Sequence, residues 1–112
     1  MASYTKQLLS GSTNGKQISV YSGGTVTLHT AVAGASSLDE IYLYATNPGS
    51  SDAVITVLWG GVALGNQTLA TVTAQAGRVL LMDGMLLQNG LTVQAYASTG
   101  TVSVDGFVNR IV

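Results

Sequence analysis

Catalysis near neutral pH begins with groups that move protons, and this chain has few of them. His29 is the single histidine. It falls on the polar row of a strand pattern with Thr25 and Thr27. A general base is one use for such a residue; a strand histidine in a local hydrogen bond is the expected one. Asp39 and Glu40 are adjacent acids. Neighbouring strand residues point to opposite faces, so these two cannot act as one carboxylate pair. Glu40 is the sole glutamate, so a glycosidase pair would have to borrow an Asp from another loop. Asp52, Asp83 and Asp105 each fall in or near a turn, where Asp bonds its own backbone. Loop carboxylates and carbonyls could hold calcium, but no EF-hand spacing is present. Gly23-Gly24 and Gly60-Gly61 precede no helix pattern, and no Gly-Lys-Ser/Thr follows them, so neither is a phosphate loop. With no cysteine, disulfides and thiolate chemistry are excluded. The expectation is a chain that is not an enzyme, with no catalytic residue, no cofactor and no metal ligand set.

The aromatic residues are the other chemical resource. Tyr42, Tyr44, Trp59 and Tyr96 sit in strand patterns. On an exposed sheet face they would anchor a protein interface or stack on sugar rings; otherwise they pack across strands within a sandwich.

The elements that would position these residues are strands. Gly occurs 14 times, helix signals are poor, and period-two alternation dominates. Turn signals divide the chain at 10–15, 22–24, 34–37, 47–51, 60–61, 65–66, 76–77, 83–84, 89–90 and 98–100. Asp83-Gly84 and Asn89-Gly90 suit type I′ hairpins. Between the turns lie about eight strand candidates, 17–21, 24–30, 38–47, 53–59, 67–73, 78–82, 90–97 and 101–111. In the third, Ile41, Leu43 and Ala45 oppose Glu40, Tyr42, Tyr44 and Thr46. The fourth, 53–59, is apolar on both faces, so it is central or covered on its outer side. Met82–Leu87 reads as a hairpin or a short helical turn. Eight strands in two sheets predict an all-β, antiparallel, jelly-roll-like sandwich with under ~10% helix. A seven-stranded immunoglobulin-like sandwich is the nearest alternative.

Composition narrows the function classes. The length of 112 residues suits one domain. Charged residues make up 8%, against an average of about 25%. So little charge suits either surfaces that partners cover or a secreted domain with a polar, uncharged surface. The four cations, Lys6, Lys16, Arg78 and Arg110, are scattered, which argues against direct nucleic-acid binding. Apolar stretches are far shorter than the ~20 residues of a membrane helix, so no membrane partner is expected. The first residues lack the apolar run of a signal peptide. The expectation is synthesis in the cytoplasm, with export only as part of something larger.

Five segments add a resemblance. Ser10–Val20, Leu28–Ala31, Leu38–Asn47, Val57–Gly61 and Asp105–Ile111 look like a family of small structural proteins of tailed-bacteriophage virions, often head-decoration or cement proteins. They span nearly the whole chain in the same order. The resemblance implies a β-sandwich on the outside of an icosahedral head, bound to the major capsid protein, commonly as a homo-oligomer. Because trimers match local three-fold points of such a shell, a homotrimer is expected. A carbohydrate- or receptor-binding module of a phage fibre is the alternative.

The same reading divides the chain into an N-terminal arm, 1–16, and a sandwich, 17–112. The arm shows no clear partner strand, and such segments order on a neighbour. Tyr4, Leu8 and Leu9 of the arm, with Tyr42 and Tyr44, are the expected interface residues. The competing expectation is that the arm pairs with its own sheet and the tyrosines fill the sandwich.

Overall fold

In β4 (Leu38–Thr46) every second residue is buried and every other one is half-exposed. This is the period of a strand with one face on a core. β8 (Thr92–Ala97) repeats the pattern. The structure, a computed structural model, describes residues 3–112; Met1 and Ala2, the first residues of the expected arm, lie outside the described residues. The remaining strands are β1 (Tyr4–Leu8), β2 (Ile18–Tyr21), β3 (Val26–Thr30), β5 (Ala53–Trp59), β6 (Gln67–Val72), β7 (Val79–Leu87) and β9 (Thr101–Ile111). A 3-10 turn covers Leu64–Asn66, and no α-helix occurs among the described residues.

The strands form two antiparallel sheets. Sheet I runs β1-β9-β4-β7, with β2 also on β9; sheet II runs β3-β8-β5-β6. Four pairs are nested: β2 with β9, β3 with β8, β4 with β7, β5 with β6. One long hairpin rolled over itself gives this pattern, and it is a jelly roll. Strand 53–59 is central in sheet II, between β8 and β6. Its outward Thr56 and Leu58 are buried beside its neighbours' side chains, which explains why both its faces are apolar. Inward residues of both sheets, among them Val20, Leu28, Ile41, Leu43, Ile55, Val93 and Val104, fill the core.

Two expectations are corrected. The arm has a partner in its own chain: β1 pairs with the C-terminal half of β9, from Tyr4 opposite Ile111 to Leu8 opposite Phe107. β2 takes the N-terminal half of the same edge, Ile18 opposite Val104 to Tyr21 opposite Thr101. β9 is long enough to hold both, and that makes nine strands. Asp83-Gly84 is not a turn either. β7 runs straight through it, because Ile41 faces Met85 and Tyr42 faces Asp83, leaving Gly84 as an extra residue. Gly84 takes φ +76°, the left-handed backbone that lets a bulge absorb one residue.

Candidate functional site

A buried polar cluster joins four parts of the chain. His29 and Asp39 are 1% and 0% exposed. The expected polar row placed His29 outward, but Thr27 pairs with Gln94 and His29 with Val93. Leu28 is therefore a bulge residue, and the bulge turns both Leu28 and His29 inward. Asp39 Oδ2 lies 2.7 Å from His29 Nε2 and accepts the Val32 N–H at 3.0 Å. Arg110 donates from Nε to Oδ1 at 2.7 Å and from its terminal nitrogen to Oδ2 at 2.9 Å. Ser10 N–H donates to His29 Nδ1 at 2.9 Å. That acceptor role puts the ring proton on Nε2, which donates to Asp39.

Serine, histidine and aspartate are thus together, but not as a hydrolytic triad. Ser10 offers His29 its backbone N–H, while its Oγ accepts the Thr30 N–H at 2.7 Å. Both ring nitrogens of His29 are committed, and no hydroxyl faces either one for activation. Burial pushes the Asp39 carboxyl up, yet the hydrogen bonds from Arg110 and His29 outweigh it and hold the group below its ordinary 3.8. The bond to Asp39 raises Arg110 in turn. Sequence distance hid this cluster: Asp39 is 71 residues from Arg110. Two acids that merely alternate faces gave no sign that one of them meets a cation across the sheet.

The outer face of sheet I carries a belt across its strands. Lys6 Nζ of β1 lies 5.1 Å from the Phe107 ring centroid in β9. Phe107 stacks on Tyr42 of β4, centroids 4.6 Å apart and planes 15° apart. On its far side Tyr42 lies against Gly84 of β7, where a Cβ would come within 3.1 Å of the phenol oxygen. Tyr42 Oη donates to Glu40 Oε1 at 2.7 Å, and that bond raises the phenol pKa, with desolvation adding to it. Tyr44 is covered by the Arg78 guanidinium, 3.9 Å from its ring; Arg78 also pairs with Asp105 at 3.2 Å. The tyrosines therefore lie on the face opposite Ile41 and Leu43, not inside the sandwich. One face of each ring is therefore occupied by a neighbour in the chain, Phe107 on Tyr42 and the Arg78 guanidinium on Tyr44.

Of the other expected interface residues, Tyr4 and Leu8 are exposed on this same face. Leu9 is not available: it is 1% exposed and part of the core. The chain dives inward directly after β1, so Leu9 anchors the arm instead of presenting it.

Elsewhere chemistry is sparse. A depression of about 250 Å³ opens between the Asn47–Ser51 turn and Thr99–Thr101. Its best polar group, the Asn47 side chain, is spent on Ser51, Val72 and Gly49 backbone. Among the described residues no group of three or more His, Asp or Glu converges as a metal site, and no helix is long and apolar enough to cross a membrane. Sheet II differs from sheet I in charge: β3, β5, β6 and β8 contain no Asp, Glu, Lys or Arg. No family model matches this chain, and no match was found among curated proteins or among solved structures.

Proposed function

We propose that this protein is a non-catalytic structural component of a phage virion that decorates or cements the capsid shell through protein–protein contacts. The observation that carries the assembly part is the exposure of large apolar side chains, Tyr4, Leu8, Tyr21, Leu69, Leu80, Met85 and Leu86, on a chain with only 8% charge. Such surfaces favour association. The virion part rests on the resemblance of the five segments described above. In this reading Tyr4, Leu8 and the exposed edges of Tyr42 and Tyr44 face the major capsid protein or a second subunit, and the assembly on the shell is a homotrimer. The stacking of Phe107 on Tyr42 and the Arg78 guanidinium over Tyr44 leave fewer free ring faces for a sugar, which weighs against a sugar-binding platform.

The test is co-production with the major capsid protein of the same genome, followed by mass spectrometry of purified particles. The protein should copurify with shells in regular stoichiometry. Tyr4→Asp combined with Leu8→Asp should reduce its occupancy at least about tenfold, since charge at an apolar contact costs more than ~1.4 kcal/mol. Absence of the parent protein from the particles would sink the reading. Specific binding on a glycan array would favour the fibre alternative.

A further inference from the structure

Backbone direction decides where a sheet can grow. In β5 the Val54 carbonyl accepts from Ser98 N–H, and Val54 N–H donates to Ser98 Oγ; just beyond β5, Gly60 N–H donates to the Thr92 carbonyl. Even-numbered residues here point their backbone groups toward β8, so Ala53, Ile55 and Val57 point theirs toward β6. Their partners are Val72, Ala70 and Thr68. Leu69 and Thr71 therefore hold both N–H and C=O out along the free edge of sheet II. Gln67 holds out its C=O, its N–H being bonded to the Leu64 carbonyl. The side chains of Gln67, Leu69 and Thr71 share the outer face with their partners Leu58, Thr56 and Val54.

Exposed edges are normally guarded by charge, shortness, proline or bulges. β1 carries Lys6, and β2 has four residues. β3 has a bulge, and β7 has two register shifts and Asp83. β6 has none of these: its sequence is QTLATV and its register with β5 is unbroken. Its central Leu69 is 61% exposed.

We propose that β6 pairs antiparallel with β6 of a second copy of this chain, about a two-fold axis through Leu69, joining two four-stranded sheets into one. In this register the outward groups of Leu69 bond those of its mate. Thr71 N–H of each copy donates to the free Gln67 carbonyl of the other. On the outer face Leu69 packs on Leu69, flanked by Gln67 opposite Thr71. No like charges meet, because sheet II has none in its strands. The contact leaves Tyr4, Leu8, Tyr42 and Tyr44 on the outer face of sheet I free, so the pairing and the capsid reading are tested on different residues.

Sedimentation equilibrium of the purified full chain, without capsid, tests it together with oxidative cross-linking. Leu69→Lys sets two cations against each other on the axis and removes the apolar contact. It should weaken the dimer on the order of 30-fold or more, with the far-UV circular dichroism of the folded chain unchanged. Leu69→Cys supplies the chain with its first thiol. Directly opposed hydrogen-bonded residues have Cα atoms ~5.5 Å apart, within disulfide range, so a covalent dimer should form. Leu80→Cys, exposed on the β7 edge, should not cross-link. Cross-linking at Leu69→Cys without a measurable parent dimer would still support weak pairing. An oligomer that Leu69→Lys leaves intact would overturn the proposal. So would cross-linking at Leu69→Cys no greater than at Leu80→Cys, whatever the oligomeric state.

Discussion

Asp39 is the residue on which most polar order depends. It is fully buried and takes hydrogen bonds from Arg110, His29 and Val32, and among the described residues no buried side-chain nitrogen or oxygen lacks a partner. Removing one member of such a cluster leaves the others desolvated without compensation, at a cost of about 2–4 kcal/mol. Asp39→Asn should lose that much stability in urea at pH 7. The folded carboxyl titrates below its ordinary 3.8. Its contribution is therefore fully present above that value and is lost as pH falls through the lower, folded pKa. The gap between parent and variant should narrow as pH falls below about 4, where the parent carboxyl takes up its proton. A gap that closes between pH 7 and 5 would contradict this assignment.

At the scale of elements, β1 shows how one position in register separates two identical side chains. Leu8 is 55% exposed and sits opposite Phe107, whereas Leu9 is in the core. Leu9→Ala should destabilise by about 2–4 kcal/mol, the usual cost of a large-to-small change in a packed interior. Leu8→Ala should stay within ~0.5 kcal/mol. Equal effects on the urea midpoint would show that the arm is not seated this way. The arm is held at its end by Leu9, the Ser10–His29 bond and the Ser10–Thr30 bond, while inward-facing Thr5 and Gln7 of β1 add no apolar side chain. Deleting it would therefore remove a core residue along with a strand, so substitutions at Tyr4 and Leu8 report on partner contacts more cleanly than truncation does.

The whole molecule is tied by pairings between distant parts of the chain. Val20 lies opposite Val102 and Ser3 bonds Val112, so the ends must meet before the rolled hairpin closes. Loop closure of that length precedes any gain from the contacts it permits, which slows folding. Refolding from urea should take about a millisecond to seconds, with one cooperative unfolding transition. Microsecond refolding, or separate transitions for the two sheets, would be inconsistent with a single shared core.

Period-two alternation and turn residues are local properties, and together they placed every strand but β1. The bounds 53–59 and 101–111 match β5 and β9, and about eight strands at that turn spacing pointed to a two-sheet sandwich, jelly-roll-like or immunoglobulin-like, which the nested pairings resolve as a jelly roll. The Asn89-Gly90 turn, both residues at positive φ, is equally local. What the tertiary structure decided lies wherever a partner strand sets the outcome. The bulges at Leu28 and Gly84 exist only against β8 and β4, and a one-residue shift turns a side chain to the other face. That is why His29 went inward and Asp83-Gly84 became strand. The arm's partners in β9 run from Ile111, opposite Tyr4, to Phe107, opposite Leu8, at the other end of the chain, and the Arg110–Asp39 pair spans 71 residues. No local pattern encodes such distances, because they depend on which sheet edges remain free once the rest of the chain has folded.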